Sequence, residues 1–136
     1  MIYDEKVNSF LNDIYTAIYN ETDKFLPYNW QTSILGCFYI VRAFASSMQF
    51  WFITPKSDDY INYCFHVKNP LPAIYNLQDK FYDLHDFCKE CGDDWKAATI
   101  ILKRRGRLVS SKYDYKPIKT IDRLFLLDWK GKYFYN

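Results

Sequence analysis

The sequence predicts an α+β fold in which helices pack on an antiparallel sheet, in the order α-β-β-β-α-β-β-α. Three observations carry that prediction. Two long segments repeat apolar residues every three or four positions, as an amphipathic helix does. Five shorter segments crowd β-branched and aromatic residues between turn signals. Most links between those segments are too short for parallel crossovers. The 136 residues suit a single domain, 1–136, large enough to bury a core without disulfide or metal staples.

The first helix spans residues 4–22, where Val7, Phe10, Leu11, Ile14, Tyr15 and Ile18 recur at helical spacing and Asn8, Asp13 and Asn20 occupy the other face. Pro27 and Asn29 make Lys24–Gln31 a loop, with Leu26 and Trp30 folding back over the core. Strands are expected at Thr32–Val41, Met48–Thr54 and Tyr60–Val67, separated by turns at Ala43–Ser47 and Pro55–Asp59. Lys68-Asn69-Pro70 ends the third strand, and Pro72 suits the first turn of a second helix.

That helix has two opposed faces. Ile74, Leu77, Phe81, Leu84 and Cys88 form the core face, while Asp79, Asp83, Asp86 and Glu90 recur on the opposite side. Gly92 is the expected C-cap. Trp95–Lys103 and Arg107–Tyr115 then form a hairpin about Arg104-Arg105-Gly106. Thr120 is expected to cap a last helix, with Asp122 in its first turn and Ile121, Leu124, Phe125 and Leu127 on its apolar side.

The order of several short motifs resembles one family. An early helix precedes Pro27-Tyr28-Asn29-Trp30; a later helix ends in Cys88-Lys89-Glu90-Cys91-Gly92; Trp95 opens a strand; Gly106 sits in a hairpin; Lys112-Tyr113-Asp114-Tyr115 ends the next strand; Arg123 and Trp129 lie in the last helix. In this order they resemble the YezG-like family of small bacterial immunity proteins, which bind and neutralise polymorphic and contact-dependent growth inhibition toxins. The resemblance implies a non-catalytic, stoichiometric inhibitor whose partner is a cognate toxin domain; the acidic helix face, not the family, points to a nuclease. The central segment Thr32–Val67 carries none of these motifs, and the net charge of +2 departs from the acidic balance common among such proteins.

Charge divides along the chain, a polarity that either steers a partner or pairs off across the folded domain. Residues 1–94 hold 7 basic and 13 acidic side chains, a balance of −6, and residues 95–136 hold 11 basic and 3 acidic, a balance of +8. Asp79, Asp83, Asp86 and Glu90, extended by Asp93 and Asp94 and anchored by Tyr82, are the expected toxin contacts. Electrostatic complementarity to a basic toxin would speed encounter; a merely solvated helix face is the plainer reading of the same stripe. Aromatic residues make up 21% of the chain, more than a small core hides, and exposed Tyr and Trp often anchor interfaces. A compositional bias toward Tyr, Asn and Lys would produce the same excess.

Other chemistries fit less well. Four glycines, none in a phosphate-loop pattern, and the absence of His-Glu-x-x-His or Gly-x-Ser-x-Gly argue against the common enzyme motifs. Cys64, His66, Cys88 and Cys91 would form a zinc site if the third strand met the second helix; Cys88 on the apolar stripe also reads as a small core residue. A thiol nucleophile would pair Cys64 with His66 or Cys88 with His85. The basic hairpin 103–107 is the alternative functional surface, a nucleic-acid-binding module. No cofactor is expected. The acidic N-terminus and the lack of any apolar run near the ~20 residues of a membrane helix predict a cytoplasmic protein with reduced thiols.

Overall fold

The computed structural model describes residues 5–40 and 46–135. Its elements are α1 (Glu5–Phe25), β1 (Thr32–Tyr39), β2 (Ser46–Ile53), β3 (Ile61–Asn62), a one-turn α2 (Tyr63–His66), α3 (Leu71–Glu90), β4 (Ala97–Lys103), β5 (Leu108–Asp114) and α4 (Arg123–Tyr133). The fold is α+β, as expected, with α2 as the added element. Val41 and the turn expected from Ala43 fall outside the described residues, while Ser46 and Ser47 already belong to β2.

The strands form one antiparallel sheet in the order β3-β2-β1-β4-β5. Strands β1 to β3 are a meander. The chain then crosses one face as α3 and returns as β4 on the open side of β1. Strand β1 is therefore central, and Ser33 to Phe38 are all buried. Both faces of the sheet are covered, which is why β1 reads as a continuous apolar run rather than an alternating one.

On one face Leu35, Cys37, Phe50, Phe52, Ala98, Ile100 and Leu102 pack beneath α1 and α3, whose buried residues include Ile18, Leu77, Phe81, Leu84 and Cys88. Leu26 and Trp30 join this core, as predicted, and the Trp30 indole donates to Asp23 at 2.8 Å. On the other face Ile34, Phe38 and Ala97 pack with Trp129 and Phe134.

Two local expectations are corrected. The strand expected at Tyr60–Val67 pairs only at Ile61 and Asn62, opposite Phe52 and Trp51. Asn62 then caps α2, its side-chain oxygen accepting from the Cys64 N–H at 3.0 Å. A local cap of this kind outweighs the β-propensity of the following aromatic residues. The second correction concerns α4, which is capped by Asp122 rather than Thr120: Asp122 Oδ1 accepts from the Phe125 N–H at 2.9 Å. Its core-facing residues are Phe125, Trp129 and Tyr133, spaced by four, whereas Leu124 and Leu127 are exposed.

The predicted stop of α3 is present in detail. Gly92 has φ +85°. Its N–H reaches the Lys89 carbonyl at 3.0 Å, and the Asp93 N–H reaches the Cys88 carbonyl at 2.8 Å. That pair of bonds is a Schellman motif, which satisfies helix-end carbonyls through one left-handed residue.

Candidate functional site

Helix α3 positions the expected contacts. At about 100° per residue, Asp79, Asp83, Asp86 and Glu90 lie within an arc of about 60°, opposite Leu77, Phe81, Leu84 and Cys88. All four carboxylates are exposed, and among the described residues none has an ion-pair partner within 4 Å. Tyr75 and Tyr82 flank the stripe one heptad apart, 58% and 62% exposed.

The arrangement is unfavourable for the helix itself. Like charges three and four residues apart repel by a few tenths of a kcal/mol per pair. Glu90 is the last residue of α3, where the negative end of the helix dipole opposes another carboxylate.

Two of the expected contacts behave differently. Asp93 is 6% exposed, so it is withdrawn from the acidic face. The Schellman turn directs it inward, where the Tyr115 hydroxyl bonds to its carboxylate and has its own pKa pushed up to about 12. Asp94 is exposed yet paired, 3.1 Å from Lys96 Nζ and 3.3 Å from His85 Nε2. The hydrogen bond from Lys96 holds its carboxyl below the ordinary range, against some desolvation. The free acidic face thus comprises Asp79, Asp83, Asp86 and Glu90, with Asp94 at its edge.

Beneath that edge lies an aromatic node. His85 stacks on Tyr39 at 4.0 Å and meets the ring of Trp95 edge-on at 4.5 Å. His85 Nε2 is 3.0 Å from the Trp95 carbonyl; a carbonyl only accepts, so Nε2 carries the proton. Burial lowers the His85 pKa despite the opposing effects of that carbonyl and Asp94. Trp95 is fully buried, and its indole N–H has no hydrogen-bond partner among the described residues.

The sequence division of charge becomes a division in space. Asp79, Asp83, Asp86 and Glu90 ride on α3, whereas Lys103, Arg104, Arg105 and Arg107 gather at the β4–β5 turn and Arg123, Lys130 and Lys132 lie on α4. The basic turn is secured to the body of the protein. Arg107 has φ +49°, its guanidinium lies 4.5 Å from the centre of the Tyr19 ring, and its Nη2 donates to Asn20 at 2.8 Å. The turn spans Arg104–Arg107 and β5 begins at Leu108, one residue later than expected. Lys103, Arg104 and Arg105 remain exposed there beside Asn29 and Gln31.

The conjectured four-ligand metal arrangement does not form. Cys64 and His66 lie on α2, before α3, while Cys88 and Cys91 lie at its far end. A helix of 20 residues separates those ends by about 30 Å. Cys88 is buried in the core as a small apolar residue, and His85 engages Trp95 and Asp94. Burial pushes the Cys37 thiol up to about 12, which suppresses the thiolate.

Sequence reasoning passed over the surface beside α4. There the segment 116–120, held by an Ile40–Ile118 bridge, and α4 enclose a half-open cavity of about 520 Å³. The spacing Phe125–Trp129–Tyr133 is a sequence signal that would have identified its helical wall. No protein-family model matches the chain, and comparison with curated proteins gives no significant match. No helix among the described residues is long and apolar enough to cross a membrane.

Proposed function

We propose that this protein is a cytoplasmic immunity protein that binds a cognate bacterial toxin domain through the outer face of α3 and blocks its active site without turnover. One observation carries the reading most directly: four exposed carboxylates share that face with no ion-pair partner within 4 Å among the described residues, beside two exposed tyrosines. The repulsion among them is relieved when a cationic surface meets the helix. Tyr75 and Tyr82 supply flat, amphipathic contact area of the kind that anchors interfaces. A nuclease is a suitable partner, because the cleft that holds its phosphate substrate is cationic. The order of family-like motifs, with Trp95 and Gly92 at the foot of the same helix, supports the same reading.

The test is a search for a toxin gene immediately upstream of this chain, followed by rescue of growth in cells that co-express the chain with that gene's toxin domain. Asp83→Lys with Asp86→Lys should slow association at least tenfold and weaken protection, with a smaller deficit at high salt. Unchanged affinity and protection in a folded double variant would overturn the assignment of this face.

A further inference from the structure

The cavity beside α4 lies across the sheet from α3, and its walls combine two chemistries. Phe38, Ala97, Ile118, Phe125, Trp129 and Tyr133 make an apolar interior, and the volume is about 520 Å³, within the ~300–1,000 Å³ typical of small-molecule sites. This interior is held in place. Phe38 meets Phe125 and Trp129 edge-on, at 5.1 and 5.4 Å, and the Trp129 indole donates to Thr99 Oγ1 at 2.8 Å.

The rim is polar and unevenly charged. Lys132 pairs with Asp114 at 3.2 Å, and the Tyr133 hydroxyl donates to the same carboxylate at 3.0 Å. That carboxylate is therefore neutralised within the protein. Lys116, Lys119 and Asp128 also line the cavity, and none of the three has an ion pair within 4 Å among the described residues. The uncompensated balance at the mouth is one positive charge above an aromatic interior.

We propose that this cavity binds a small planar aromatic anion, its rings against Phe125 and Trp129 and its carboxylate or sulfonate at the Lys116–Lys119 rim. The apolar walls supply burial, and the two ammonium groups supply selectivity for a single negative charge. Asp128 opposes the anion and limits its affinity. The site is separate from the acidic face of α3 and stands whether or not that face binds a toxin.

The test is a fluorescence titration of the full chain with 8-anilinonaphthalene-1-sulfonate. A saturable one-to-one complex is expected. Lys116→Glu with Lys119→Glu should weaken it at least tenfold, Asp128→Asn should tighten it a few-fold, and Thr120→Trp should block it by filling the rim. Arg104→Glu with Arg105→Glu makes the same charge change at the hairpin tip, beyond the end of β4, and should leave binding unaltered. All of these side chains are exposed, and circular dichroism of each variant would establish that it folds. Absence of saturable binding would overturn the proposal. Equal weakening by the hairpin variant would do so as well, as would equal affinity for neutral N-phenyl-1-naphthylamine.

Discussion

The indole of Trp129 occupies the space that a side chain on Gly36 would need. A Cβ built on Gly36 would sit 2.6 Å from Trp129 Cζ2 and 2.7 Å from Phe38 Cζ. Trp129 has little freedom to withdraw, because its N–H is bonded to Thr99 and its ring is wedged against Phe38. Gly36→Ala should therefore destabilise the protein by about 1–3 kcal/mol, the usual cost of overpacking a core. Urea unfolding would measure the loss, and Gly36→Val should lose more. A Gly36→Ala variant as stable as the parent would show that α4 can lift from β1.

Gly92 and Gly131 have equally open surroundings, since a Cβ at either would meet nothing within 4 Å. Their backbones differ. Gly92 has φ +85°, so Gly92→Ala should cost about 1 kcal/mol through conformation alone. Gly131 lies inside α4, so Gly131→Ala should stabilise by about 0.5–1 kcal/mol. Opposite shifts in melting temperature are the expected result.

Arg107 combines an unfavourable φ of +49° with its two contacts on α1. Arg107→Ala should lose the Tyr19 and Asn20 contacts and keep the strain. Arg107→Gly loses the same contacts but relieves the strain, so it should be the more stable of the two by about 1 kcal/mol. A cycle with Tyr19→Leu should return a coupling of about 0.5–1 kcal/mol, the scale of an accessible cation–π pair.

His85 gives stability a pH dependence of defined sign. Burial lowers its folded-state pKa, so the unfolded chain takes up a proton first, near its ordinary value of about 6.5. Stability should fall as pH drops through that value and level off once the folded form also protonates. His85→Gln should flatten the slope of melting temperature between pH 7 and 5.5. Asp94, with its lowered pKa, acts in a separate acidic window: its contribution is present above the unfolded carboxylate value and lost as pH falls through the folded one.

The acidic face was legible in the sequence because it depends only on helical period. The spacing that places Leu77, Phe81, Leu84 and Cys88 in the core places Asp79, Asp83, Asp86 and Glu90 outside. Asp93 was misassigned because it lies beyond Gly92, where the chain leaves helical geometry and local spacing no longer reports direction. Cys64 and His66 were misassigned for a related reason: a single side-chain cap from Asn62 converts an expected strand into a helical turn.

By itself, the sequence determined the element types outside residues 60–67, the Gly92 stop, the acidic stripe and the charge division at Trp95. Each follows from periodicity or backbone preference within a few residues. The tertiary structure alone decided that β4 returns beside β1 rather than at a sheet edge, that Trp129 fills the place of a Gly36 side chain, and that Lys116 and Lys119 rim an aromatic cavity. Those features bring together residues as far apart as Gly36 and Trp129, 93 positions along the chain, and no local preference encodes such pairings. Packing across both faces of one sheet selects them.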